Sequence, residues 1–195
     1  MSALDGLLTL LFVAGHRPDR LDKALATSAD IVCVDLEDAV PPAEKVAART
    51  AFLERVSTSP DQRIALRINS LRTAAGISDL ATLCATPNLP QWLLLPLVES
   101  SAEIAIVRGA LGERCPRLIA LIETPLGVRE ARAIAKAEGC SALMLGGADL
   151  SAELGCSFSW EPLLAARSEL VLACAEAGIT AIDVPHIQLD DVVGL

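Results

Sequence analysis

Seven short apolar runs recur along the 195 residues, and each is too short to be a buried helix. They are Leu8 to Ala14, Ile31 to Leu36, Arg63 to Ile68, Trp92 to Val98, Leu118 to Ile122, Ala142 to Leu145 and Ile179 to Val184. Their Val, Ile and Leu residues follow one another without strict alternation, the pattern of parallel strands covered on both faces. Between them lie segments rich in Ala, Leu, Glu and Arg at helical spacing: Pro41 to Val56, Ser100 to Leu111, Pro125 to Glu138 and Pro162 to Ala177. Thr124 followed by Pro125 reads as an N-cap and a first-turn proline, while Gly139 and Gly178 stand where helices should end. One βα unit every ~25 to 30 residues predicts an α/β domain with right-handed crossovers, a single unit over residues 1–195.

Two architectures fit such an alternation, an open doubly wound sheet and a (β/α) barrel. Polar residues decide between them. Asp35, Glu37 and Asp38 follow the second run, Arg67 and Asn69 end the third, Glu99 follows the fourth, Glu123 ends the fifth and Asp149 follows the sixth. A barrel gathers all carboxyl ends of its strands at one mouth, so these residues become one site. An open nucleotide-binding sheet would place a glycine-rich phosphate loop after its first strand, and GHRPDR is not one. A TIM-type barrel is expected.

Charge and cysteine content narrow the partners. With 16 Lys plus Arg against 25 Asp plus Glu the net charge is −9, and no basic run offers a face to nucleic acid. The six cysteines Cys33, Cys84, Cys115, Cys140, Cys156 and Cys174 show no C-x-x-C spacing and read as free thiols of a reducing, cytoplasmic compartment. The apolar opening MSALDGLLTLLFVAG lacks a basic leader and a cleavage site, and Gly6 and Gly15 bound it too closely for a membrane span.

The residue types at the mouth suggest chemistry. Glu123 in LIALIET and Asp149 in LMLGGADL fall on neighbouring strand ends, where two carboxylates repel unless a proton or cation separates them. Hard oxygen ligands of this kind suit Mg2+. Gly146 and Gly147 clear space for a ligand beside Asp149, although Asp149 could equally cap the following helix. Arg67, set in a buried run, needs an anion: a substrate carboxylate, or Glu37 or another mouth acid. Asp35 and Glu37 share a strand face that Leu36 leaves.

These segments also carry a resemblance. LFVAGHRPDRLDKALATSADIVCVDLEDAVPPAEKVAAR, followed by LRIN, LPLVES, LIALIET and GGADL in that order, resembles the citrate lyase beta subunit group of the HpcH/HpaI aldolase superfamily. The resemblance implies a (β/α)8 barrel, oligomeric as a trimer or hexamer, that uses Mg2+ to make or break a carbon–carbon bond in 3-hydroxyacyl thioesters such as citryl-, malyl- or citramalyl-CoA. By position, Glu123 and Asp149 are the implied metal ligands and Arg67 the implied contact to the keto-acid carboxylate. Glu37 and Asp38 match the acidic pair near the metal's water shell, and Arg17 in the GHRPDR loop matches the thioester-carrier contact. Arg17 and Arg20 could equally be solvated loop charges.

Departures from the family pattern leave the reading open at three points. Ala14 stands where proline is common, and Leu97 where lysine is common. The sequence reaches HIQLDDVVGL, where a seventh helix would begin, without an eighth strand or C-terminal segment; either a longer chain or a partner supplies them, or the protein has diverged. No residue is assigned as general base, His16 being the only histidine near the mouth. A class II pyruvate-type aldolase acting on free hydroxy-keto acids and a non-catalytic binding or assembly paralogue are the alternative functions.

Overall fold

The computed structural model describes residues 9–58 and 61–186. Seven parallel strands form one sheet in the order of the sequence: β1 (Leu10–Ala14), β2 (Ile31–Asp35), β3 (Ile64–Arg67), β4 (Trp92–Leu95), β5 (Arg117–Ile122), β6 (Cys140–Leu145) and β7 (Thr180–Ile182). Each of the seven apolar runs coincides with one of them, β5 starting one residue and β6 two residues before the run. Leu8, the first residue of the first run, and the tail from Ile187 onward lie outside the described residues. Helices α1 (Pro18–Leu25), α2 (Lys45–Thr58), α3 (Ala74–Ala85), α4 (Ser101–Leu111), α5 (Pro125–Ala135), α6 (Gly147–Leu154) and α7 (Trp160–Ala177) fill the crossovers. No helix of the described residues is long and apolar enough to cross a membrane.

Strict sequence order distinguishes this sheet from a doubly wound one, whose order reverses at a switch point. The sheet curls, because side chains of β1, β2 and β3 line one cavity together with side chains of β5 and β6. It is the open barrel expected: among the described residues there is no eighth strand, and β1 and β7 each pair on one side only.

Period-two alternation splits each strand between two apolar layers. Val32, Val34, Ile64, Leu66, Leu93, Leu95, Leu118, Ala120, Leu143 and Leu145 face the helices. Ile31, Cys33, Ala65, Trp92, Leu94, Ile119, Leu121, Ala142 and Met144 fill the interior. Arg117 stacks over the Trp92 ring at 5.0 Å, covering the interior column at its amino end. Continuing each inward column by two residues toward the carboxyl end gives Asp35 after Cys33, Arg67 after Ala65, Glu123 after Leu121 and Gly146 after Met144. The polar site is therefore the top layer of the same stack that makes the core.

Local chemistry fixes the crossovers. Thr124 accepts a hydrogen bond from Gly127 N, and Pro125 opens α5. Ser100 and Glu103 form a capping box on α4. Gly178 ends α7 in the left-handed conformation. All six cysteines are free; Cys33, Cys140 and Cys174 are buried and the other three half-buried.

Candidate active site at the barrel mouth

Arg67 is the hub of the mouth. Its Nε and Nη2 donate to the two Asp35 carboxylate oxygens, both at 2.7 Å, in a bidentate fork. Its Nη1 lies 3.0 Å from Glu37 Oε2 and 3.4 Å from Asp38 Oδ2. Register makes this possible, since Asp35 and Arg67 are directly paired across β2 and β3. The Phe12 ring lies under the guanidinium at 5.3 Å. Asp35, only 1% exposed, also accepts the backbone N–H groups of Glu37 at 2.8 Å and Ala39 at 3.0 Å, so it shapes the acidic loop as well as holding Arg67.

A second set of contacts, not foreseen from sequence apart from the position of Asn69, anchors this arrangement from behind. Lys45 Nζ donates to Leu36 O at 2.9 Å, Glu37 O at 2.7 Å and Asn69 Oδ1 at 2.5 Å, tying the end of β2 to the end of β3. Asn69 gives its backbone N–H and its side-chain amide to Asp79 Oδ2 at 2.9 and 2.7 Å. Arg49 closes the chain on Asp79 Oδ1 at 2.8 Å. Lys45, half-buried, opens α2 in a stretch that reads as ordinary helix, and Asp79, buried, lies in α3, which is not among the segments picked out by helical spacing.

Across the mouth stand Glu123, one residue past β5, and Asp149, in the first turn of α6. Glu123 is 3% exposed, and its Oε1 accepts the Leu97 N–H at 3.0 Å. Burial is the main influence pushing its carboxyl above the usual range, with Asp149 adding to it and Arg67 and the Leu97 N–H opposing it. Burial likewise pushes Glu37 up to about 8, against Arg67 and with repulsion from Asp38, Glu123 and Asp35. Gly146 precedes α6 as its N-cap residue, so Asp149 is not the cap. A Cβ on Gly146 would stand 2.1 Å from Glu123 Cγ, and one on Gly147 would stand 2.5 Å from Val184 Cγ1. Both glycines are therefore required by contact.

Phe12, Asp35, Asp38, Arg67, Leu121, Glu123, Met144, Gly146, Gly147 and Asp149 line one cavity of about 430 Å3. The structure thus brings Arg67, the acidic loop, both glycines and the Glu123 and Asp149 pair to one place. Glu37 reaches it through Arg67. Arg17 does not line it: it pairs with Asp19 at 3.1 Å and borders a separate cleft of about 340 Å3 between α1 and α2. The GHRPDR segment is a loop only as far as Arg17, because Pro18 opens α1. His16 also lies outside the cavity lining, with its Nδ1 buried and lacking a hydrogen-bond partner.

The donor set fits a hard divalent cation. Arg67 spends its fork on Asp35, Glu37 and Asp38, which leaves Glu123 and Asp149 to repel one another. Glu37 Oε2 is buried without a hydrogen-bond partner despite its nearness to Arg67. Among the described residues no three His, Cys, Asp or Glu side chains converge as a ready metal cage. Two carboxylates with the remaining positions left to water and substrate is the usual manner of Mg2+, which sheds its waters reluctantly.

Comparison with known proteins agrees with this architecture. The profile described as HpcH/HpaI aldolase/citrate lyase matches residues 8–195. The chain belongs to that family. Among family members, it is 38% identical over 193 residues to a citrate lyase subunit beta-like protein of Mycobacterium tuberculosis, covering 95% of this chain and 66% of the relative. It is 29% identical over 208 residues to the mitochondrial citramalyl-CoA lyase of Homo sapiens, covering 95% of this chain and 61% of that enzyme. The chain thus spans a little under two thirds of the length of these curated relatives. The solved structure of the CitE protein of M. tuberculosis in complex with magnesium and acetoacetate superimposes with a TM-score of 0.84 at 35% identity, covering 98% of this chain and 79% of the other.

Proposed function

We propose that this family member carries the site of a Mg2+-dependent carbon–carbon lyase that cleaves or forms a 3-hydroxyacyl thioester, of the citryl-, malyl- or citramalyl-CoA class, with a keto acid and an acyl thioester as the other partners. The observation that carries the reading is the single cavity in which the Arg67 guanidinium faces the Glu123 and Asp149 pair over a glycine floor. The magnesium in the related CitE complex and the CoA thioester in the name of the human relative support it.

Glu123 and Asp149 hold the cation. Mg2+ bound there supplies a Lewis acid toward the substrate's hydroxyl or keto oxygen. Arg67 Nη1 turns from the exposed Asp38 carboxylate to the keto-acid carboxylate, while its fork on Asp35 keeps the guanidinium plane fixed. Glu37 and Asp38, held beside Arg67, would be the acids nearest the waters of a cation bound there. Phe12, Leu121 and Met144 form the apolar wall that keeps the reacting carbons from bulk water. In the cleavage direction a base takes the hydroxyl proton, the carbon–carbon bond breaks as the hydroxyl oxygen becomes the keto oxygen, and the bond's electrons leave with the thioester fragment as an enolate, which takes up a proton to give the acyl thioester. Arg17, which borders the separate cleft between α1 and α2, is the contact assigned to the thioester carrier. A homo-oligomer is consistent with the exposed Trp160, Leu164, Val171 and Leu172 of α7, and the free thiols are consistent with a reducing, cytoplasmic setting.

The test is turnover of the three CoA esters and of the matching free hydroxy acids, with Mg2+ and with excess chelator. Chelator-sensitive cleavage of an ester, lost in Glu123→Gln and Asp149→Asn, is the expected result. Activity on free acids alone points to the class II aldolase, and binding of keto acid without turnover to a non-catalytic paralogue. Full ester turnover in both variants overturns the site.

A further inference from the structure

Leu97 is the one non-glycine described residue with a positive φ, at +54°. Left-handed backbone is costly for a bulky side chain, and it persists where surrounding contacts impose it. Those contacts are visible on both sides of the residue. The Leu97 N–H is given to Glu123 Oε1 at 3.0 Å, and the next N–H, of Val98, to Leu121 O at 3.1 Å. Successive amides of an extended strand point in opposite directions, yet these two both reach acceptors on the β5 side. A left-handed residue between them permits that, as in the amide concavities that hold anions. The following carbonyl packs closely on α5, since Val98 O lies 2.7 Å from where a Cβ on Gly127 would stand.

Glu123 is consequently held at one oxygen and given room along its stem. Leu97 N–H donates to Oε1, and Gly146 leaves the space its neighbour needs, since a Cβ there would stand 2.1 Å from Glu123 Cγ. We infer that Leu97 is a positioning residue whose left-handed backbone commits one oxygen of Glu123 to the protein and reserves the other for the cation; the inference rests on the metal-site reading above. The side chain at position 97 is secondary, and the sign of its φ is what matters.

Three substitutions separate this role from simple packing. Glycine adopts positive φ freely and asparagine tolerates it, whereas the β-branched valine resists it. Calorimetric Mg2+ titration of the purified chain, with its melting temperature recorded beside it, should give Leu97→Gly and Leu97→Asn affinities within about threefold of wild type. Leu97→Val should bind about tenfold more weakly or worse, the range typical of a lost contact to a metal ligand. Loss of packing predicts the reverse order, with glycine the most damaging. Should the valine variant fail to fold, Leu97→Ala replaces it and must bind more weakly than Leu97→Gly. Equal Mg2+ affinity in folded wild type and Leu97→Val, or in Leu97→Ala and Leu97→Gly, overturns the inference while leaving the metal site standing. A wild-type chain that takes up no Mg2+ removes both.

Discussion

At the mouth, Arg67 is surrounded by more negative charge than it can neutralise: Asp35, Glu37 and Asp38 all lie within 3.4 Å of its guanidinium. Only Asp35 is held in bidentate geometry and supported by two backbone N–H groups, so it is the permanent partner. Asp38 is exposed and the longest contact, which under the proposed function makes it the partner a keto-acid carboxylate would displace. Gly146 is the most demanding residue of the set. Because a Cβ there would stand 2.1 Å from Glu123 Cγ, Gly146→Ala should force Glu123 off its place and lower Mg2+-dependent turnover about 100-fold. Circular dichroism should still report the native helix content, and a Gly146→Ala enzyme with wild-type kcat/KM would refute the assigned place of Glu123.

Elements were legible in the sequence where periodicity and caps agreed. All seven apolar runs became strands in chain order, and Thr124, Pro125 and Gly178 marked helix ends correctly, because those signals are local. The fourth run, read as Trp92 to Val98, stops as a strand at Leu95, since Pro96 lacks an N–H for the ladder and Leu97 turns left-handed. Helix α6 starts earlier than a cap at Asp149 would set it, on Gly147 directly after Gly146, where propensity argues against a helix. Its first turn carries Asp149. The tie between β2 and β3 through Lys45, Asn69, Asp79 and Arg49 was invisible for another reason: residue spacing does not reveal which charged helix face is buried. Asp79 is 1% exposed and carries three of those hydrogen bonds. Asp79→Ala leaves Arg49 and Asn69 without their acceptor and should destabilise the chain by about 3 kcal/mol. A lower urea midpoint at unchanged slope would show it; an unshifted midpoint would mean that solvent satisfies the pair.

The molecule as a whole concentrates carboxylates at one end of a chain whose net charge is −9. Glu37 rises from the ordinary 4.5 to about 8 chiefly through burial. A carboxyl whose folded pKa is raised binds more protons in the native than in the unfolded state, so its favourable contribution is complete below about 4.5 and is lost as pH climbs toward 8. The metal-free protein should therefore lose thermal stability across that window more steeply than its Glu37→Gln variant. Parallel melting curves from pH 4.5 to 8 would argue that Glu37 ionises freely beside Arg67.

The central claim is that Glu123, just past the end of β5, and Asp149, in the first turn of α6, share one divalent cation opposite Arg67. The most direct measurement is an anomalous difference map from crystals soaked with Mn2+ in place of Mg2+. A single strong peak within coordination distance of both carboxylates, absent from crystals of Asp149→Asn, is the predicted result. A peak elsewhere, or none between Glu123 and Asp149 at saturating Mn2+, would contradict the account.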